Sequence, residues 1–283
     1  LRNDFFFPAT AGIINLYNII NNIETRTENY FFVGDNLNYS LAQNLQLSLN
    51  GSYLNREVNK EFKYHTSSAN ILLENNYDTK ILEDNLEFSG TLNYYPRNIN
   101  SQIKLIYSER SENHSLLNVS GLTPSQISEI EKAEKNKNNN SKRATFIADL
   151  NYLISNTNSF GFSGSSTLFR YDTDYDQNYD DRDETENIAA FIHSYNNLVN
   201  FNIQTRFELI FSNLNYIYSQ RSANNYQNKI YRLSTQSLFS PVKNLTTNNF
   251  IQVLANYTVY DFEDVISQIQ SFSYRQLLIA DST

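Results

Sequence analysis

The sequence predicts an all-β fold, an antiparallel transmembrane β-barrel of about ten to eleven strands, incomplete as a barrel, with one short loop helix. A single domain is expected to span residues 1–283. Three observations carry this expectation. Apolar and polar residues alternate with period two over long runs, which gives strands one greasy and one wet face. Connections alternate short and long, as in barrels with tight turns on one rim and loops on the other. The strands also exceed the roughly five or six residues usual in soluble sheets, while Gly and Pro number only 7 and 4 in 283 residues.

Taken in order, residues 12–20 form a weakly patterned first segment. Between Leu37 and Tyr53 the odd positions include Leu37, Tyr39, Leu41, Leu45, Leu47, Leu49 and Tyr53, against Asn, Ser and Gln at most even ones. Short polar breaks are expected at Gln43-Asn44, 78–84, 155–159, Asn196-Asn197 and 240–244, and longer charged ones at 57–61, 111–142, 172–186 and 221–228. Keeping that parity requires one strand over 85–110 to pass through Pro96, which a strand tolerates mainly at a bulge or beyond its hydrogen-bonded zone. The alternative puts Pro96 in a turn and moves the connection at 111 to the other rim. Thr123-Pro124-Ser125-Gln126 predicts a helix, with Thr as N-cap, Pro in the first turn and Gln at the capping-box position, running through Ile127, Ile130 and Ala133. Strand signals return at Phe146, Ala148, Leu150 and Tyr152, then over 198–220, where a phase shift near Ser212-Asn213 reads as a β-bulge. The last are Ile251, Val253, Ala255, Tyr257 and Val259, and residues 270–280.

A soluble sandwich predicts shorter strands and Gly/Pro-rich turns, and a solenoid predicts a fixed repeat that the chain lacks. Only a membrane barrel also predicts aromatic residues gathered at strand ends, here Tyr30-Phe31-Phe32, Tyr94-Tyr95, Phe169 with Tyr171, Tyr216 with Tyr218, and Tyr257 with Tyr260. The side chains expected to face lipid are Leu37, Tyr39, Leu45, Leu47, Phe201, Ile203, Phe207, Val253 and Tyr257. Composition removes other classes. With no Cys there is no thiol catalysis, disulfide or Cys-based zinc site. A net charge of -8 has the wrong sign for a nucleic-acid footprint. The chain carries 43 Asn, 21 Tyr and 19 Phe but neither Met nor a leader pattern at its start, so a processed or partial chain with two unmatched sheet edges is expected.

The stretches Tyr94-Tyr95-Pro96-Arg97-Asn98-Ile99 and Val253-Leu254-Ala255-Asn256-Tyr257-Thr258-Val259-Tyr260-Asp261-Phe262-Glu263-Asp264, together with the overall alternation, resemble bacterial outer-membrane β-barrel proteins, in particular uncharacterised porin-like barrels of the Bacteroidetes type. The resemblance implies an outer-membrane location in a Gram-negative cell envelope, contact with outer-membrane lipid and lipopolysaccharide, and transport of small solutes. It carries over no catalytic residue, so no enzyme activity is expected.

Four charged residues inside predicted strands are lumen-lining candidates, Arg143 and Asp149 on one strand face and Arg206 and Glu208 on another. The densest charge run is 172–186, with eight carboxylates against Arg182. Asp172, Asp174, Asp176, Asp180 and Asp183 have the alternate spacing that suits a hard cation, so calcium is the one cofactor considered; a solvated acidic loop is the plainer reading. Gln177 stands where an EF-hand needs Gly, and Asp183 where it needs Glu. The three His, His65, His114 and His193, share no metal-like spacing. Three functions follow: porin-like passage of solutes, a structural or adhesive barrel with ligand-binding loops, and a secreted β-rich adhesin or an outer-membrane enzyme.

Overall fold

The computed structural model describes residues 2–6, 9–10, 14–19, 22–62, 77–175, 178–197, 200–242, 244–263 and 269–283, with side chains from residue 25 onward. Among the described residues fourteen strands make one antiparallel sheet. Eleven of them follow one another as a meander: β4 (Asn22–Ala42), β5 (Leu45–Phe62), β6 (Thr79–Tyr94), β7 (Ile99–Leu116), β8 (Asn139–Leu153), β9 (Asn158–Asp172), β10 (Arg182–Asn196), β11 (Phe201–Tyr216), β12 (Tyr226–Val242), β13 (Leu245–Tyr260) and β14 (Phe272–Ser282). The three short strands β1 (Arg2–Phe6), β2 (Ala9–Thr10) and β3 (Ile14–Ile19) all pair with the free side of β4. Among the described residues β14 pairs with β13 alone, so the sheet is open.

The rims are stitched by backbone hydrogen bonds. On the short-turn rim, Tyr95 N donates to Asn44 O at 3.0 Å, Leu153 N to Asn98 O at 2.8 Å, Asn196 N to Thr157 O at 2.8 Å and Ser240 N to Asn200 O at 2.8 Å. On the opposite rim, Leu117 N donates to Asp78 O, Ile217 N to Asp181 O and Asp261 N to Asn225 O. The connections 117–138 and 173–181 therefore share the long-loop rim, as expected, and Asn178 Nδ2 ties them together through Asn136 O at 3.1 Å. Helix α1 (Pro124–Lys135) has the expected capping box, with Gln126 Oε1 accepting from Thr123 N at 2.9 Å.

Three expectations are corrected. Pro96 lies in a four-residue turn between β6 and β7, where Ile99 N donates to Pro96 O at 3.1 Å, so 85–110 is not one strand. The charged runs 57–61 and 78–84 are not breaks: the first ends β5, the second opens β6, and the connection falls between them. Both runs read as loops because these strand ends are polar. Their charges are matched across the ladder, Lys80 to Glu57 at 2.9 Å and Arg56 to Glu83. The two misplacements cancel, which is why the alternation survives. No bulge interrupts Ser212-Asn213, since β11 keeps an unbroken register with both neighbours. The phase changes there because the outer face turns polar at Asn213 and Asn215, while Leu214 and Tyr216 point inward. Register does shift at Ser40/Ala42 and Phe239/Val242, beside the short turns.

Registers sort every strand residue onto one of two faces, because directly paired residues share a face. Tyr39, Leu47, Leu92, Ile103, Ala148, Gly164, Ala189, Leu209, Tyr231 and Ala255 form one continuous outer row. All nine residues expected to face lipid lie on that face. On β7 the outward positions Ile99, Ile103, Leu105 and Tyr107, with Ser101 among them, precede Glu109, a stretch of nine residues from 99 to 107. That matches the roughly 9–11 residues with which a tilted strand crosses the apolar core of a bilayer. Tyr39, Tyr94, Tyr152, Tyr195 and Phe239 edge the band near the short turns; Phe31, Tyr53, Tyr107 and Tyr257 edge it near the loops. Burial is inverted relative to a soluble protein: the buried hydrophobics among the described residues are Val58, Tyr77, Ile130, Ala190 and Leu254, while outward Leu105, Phe191 and Leu277 are more than half exposed. Such a surface is stable only against lipid or another apolar phase.

Candidate functional site: the polar inner wall

The inner face is built from the even residues of β5, β7 and β10 to β14 and the odd residues of β6, β8 and β9. Those positions carry many Asn, Gln, Ser and Thr and paired charges, with apolar side chains such as Ile147, Ile188, Ile192, Ile210 and Leu254 among them. One hydrogen-bond row crosses seven strands as Asn93, Gln102, Asp149, Ser163, Ala190, Glu208 and Arg232. The next row toward the short turns reads Asn100, Asn151, Gly161, Ile192, Arg206 and Ser234. Arg143, Asp149, Arg206 and Glu208, the four charges singled out in the sequence, all stand on this inner face.

Two carboxylates are clamped between arginines. Glu208 accepts from Arg206 Nη2 at 2.7 Å and from Arg232 on the neighbouring strand. Nearer the loop rim, Glu83 accepts from Arg110 Nε at 2.7 Å and from Arg56. Both glutamate side chains are about nine-tenths buried beneath guanidiniums that remain one-third or more exposed. Removing a carboxylate's hydration is expensive, and the charge-assisted hydrogen bonds from two arginines offset that cost. Arg143 has a different partner, lying over the Phe169 ring at 5.1 Å.

Asp149 is set apart. It accepts a 2.6 Å hydrogen bond from Ser163 Oγ, and no described basic side chain pairs with it. It opens on a cavity of about 370 Å³ that also exposes Asn100, Asn151, Gly161, Ser194 and Gln204. Gln102 Nε2 donates to Asn93 Oδ1 at 2.9 Å, and Gln204 Nε2 to Ser194 Oγ at 3.1 Å, so the amides along the cavity are held by neighbours. Gly161 keeps the space: a Cβ there would meet the Ile192 Cβ at 3.3 Å.

The acidic run does not gather. Asp183 points outward to Arg170 at 2.9 Å, Asp180 pairs with Arg221 at 2.8 Å, and Asp181 accepts from Thr173 N and Oγ1, both at 2.7 Å. Asp172 sits on the outer face, where burial and the nearby Asp181 push its carboxyl upward. Asp176 lies outside the described residues. Among those described, no three His, Asp or Glu side chains converge as a metal site.

His193 faces outward, its ring 4.7 Å from that of Phe160, and His65 lies outside the described residues. His114 is different, and sequence reading missed its surroundings. It stands on the inner face of β7 above the apolar band, with Nε2 2.7 Å from Glu112 Oε1. From α1, Glu134 approaches its other nitrogen and accepts from Tyr77 Oη at 2.9 Å. Glu134 and Ile130 are buried as α1 packs on the inner side of this rim with Tyr77, Leu116 and Leu122. The signal in the sequence was faint: Ile130 and Glu134 are one helical turn apart, which puts them on one helix face.

No protein-family model matches the chain, and no curated protein is similar to it. Among solved structures it is similar to the β domain of the Bordetella autotransporter Brka, at 8% identity and a TM-score of 0.32, over 99% of this chain and 95% of that one. It is also similar to a loop L8 deletion mutant of OmpT, an outer membrane protein of Vibrio cholerae, at 10% identity and a TM-score of 0.26, over 88% and 94%. The assignment as an outer-membrane-type barrel sheet rests on the chain's own strand pairings and apolar band.

Proposed function

We propose that this chain forms the wall of a bacterial outer-membrane barrel that passes small polar solutes, and that it performs no catalysis. The observation that carries this reading is the separation of faces. A band of bare apolar side chains surrounds an inner wall of amides, hydroxyls and paired charges, which is how a water-filled path through lipid is lined. The band meets lipid tails, and the outward Lys142, Arg170 and Lys229 just above it meet phosphate-bearing headgroups, including those of lipopolysaccharide. In lipid the unpaired edge of β14 needs a partner strand, so the conducting form is a closed barrel completed at that edge. Reconstitution of the full-length chain into planar bilayers tests the reading. Stepwise conductance in potassium chloride is expected; correctly inserted protein that leaves the bilayer insulating would overturn it.

A further inference from the structure

The inner wall carries opposite charges at a fixed separation, with a cavity beginning at one of them. Asp149 on β8 is a carboxylate without a basic partner among the described residues. Along the same two rows Arg206, three strands away, and Arg232, four strands away, share the single carboxylate of Glu208, which leaves one positive charge in excess. The Nε of Arg232 is buried without a hydrogen-bond partner. Between the two ends the rows carry Gly161, Ser163, Ala190 and the larger Ile192, and the cavity lined by Gly161, Ser163, Ile192 and Gln204 ends one inward position short of Arg206. Strands lie about 4.8 Å apart, which puts the β8 and β11 backbones roughly 14 Å apart and the β8 and β12 backbones roughly 19 Å apart, and the arginine side chains shorten the gap between the charged groups.

We propose that this groove binds a short zwitterionic peptide, its ammonium group at Asp149 and its carboxylate at the Arg206–Glu208–Arg232 clamp. A neutral polyol would leave the Asp149 charge and the excess guanidinium unmatched, and a simple anion or cation would match only one. An extended peptide of about three residues spans roughly 10 Å at 3.3–3.6 Å per residue, which suits the gap. Its backbone amides face the side chains of Asn151, Ser194 and Gln204, which can both give and accept hydrogen bonds. This assignment rests on the reading of the inner wall as a solute path and names its solute class.

Calorimetric titration of the full-length chain in detergent micelles tests it, with trialanine, N-acetyl-trialanine and trialanine amide as ligands. Trialanine is expected to bind, and each blocked peptide to bind at least about tenfold more weakly. Asp149→Asn should erase the difference between trialanine and its acetylated form while keeping the preference over the amide. Glu208→Gln, which frees both guanidiniums, should tighten trialanine binding and leave the Asp149 end unchanged. The unmodified protein with the three peptides decides the matter even if a variant fails to fold. Equal binding of all three, no binding of any, or equal binding of maltotriose overturns the proposal. Conductance without peptide discrimination would remove the peptide site and leave the solute path standing. Peptide discrimination without conductance would do the reverse.

Discussion

The Nδ1 of His114 lies 3.5 Å from Oε2 of Glu134, twenty residues later in the chain, a contact that joins the end of β7 to the last turn of α1. It is the centre of a small buried latch. Glu134 also accepts from Lys137 and Tyr77, and His114 is held on its other side by Glu112, which itself pairs with Arg110. The flanking charges hold the Glu134 carboxyl down to about 2 despite burial, and Glu134 raises the imidazole above its ordinary value. The Tyr77 hydroxyl is pushed up by burial and by the same carboxylate.

The latch gives the docking of α1 a pH window. A raised histidine contributes stability that is complete below about 6.5 and fades as pH climbs through its folded value. A lowered glutamate contributes stability that is complete above about 4.5 and fades as pH falls toward 2. Docking is therefore strongest between those limits. Hydrogen exchange of residues 124–135 should be slower at pH 5.5 than at pH 8.5, after correction for intrinsic rates. His114→Asn should flatten that difference; a difference that persists unchanged assigns it to another group.

Replacing Glu134 with Ala leaves the Tyr77 hydroxyl and His114 without their shared acceptor. The helix should lose about 2–3 kcal/mol of local protection, with the strands unaffected. Exchange rates over α1 and over β8 in the same sample give the comparison, and equal loss in both would mean that the latch supports the whole sheet.

The outer band makes a sharp contrast between neighbouring positions. Ile103 faces outward at mid-band, and Gln102 faces the inner wall. Ile103→Arg should cost about 2–4 kcal/mol of folding stability in lipid vesicles, while Gln102→Arg should cost much less. Comparable costs at both positions would contradict the assignment of faces.

The clamp at Glu83 bears on ion preference. In Glu83→Gln the guanidiniums of Arg56 and Arg110 lose their shared negative partner and both remain on the inner wall. The reversal potential across a salt gradient should shift toward anion preference. A shift toward cations, or none in protein that conducts normally, would place these arginines away from the ion path.

Within the loop at 173–181, one side chain holds the entry from β9. Asp181 holds both Thr173 N and Thr173 Oγ1, so Asp181→Ala should open the loop at a cost of about 1–2 kcal/mol. Chymotryptic cleavage after Tyr175 and Tyr179 should then quicken, with cleavage elsewhere unchanged.

What the sequence determined by itself is what period two determines: which residues are strands, which face of each strand is apolar, and therefore that Leu47 and Phe207 point one way and Asp149 and Glu208 the other. Side-chain direction alternates whatever the partner strand is, so these features survive misplaced connections. Strand ends were less legible, because beyond the apolar band the outer face turns polar and a strand such as 57–61 looks like a loop until its cross-strand partners are known. The tertiary structure alone decided the contacts. Arg56, Glu83 and Arg110 are separated by 27 residues at each step, and Tyr77, His114 and Glu134 by still less regular intervals. Register brings the first set onto one carboxylate, and the docking of α1 brings the second into one buried cluster. Register and docking depend on strand pairing and helix packing across the whole sheet, and no local pattern of residues encodes them.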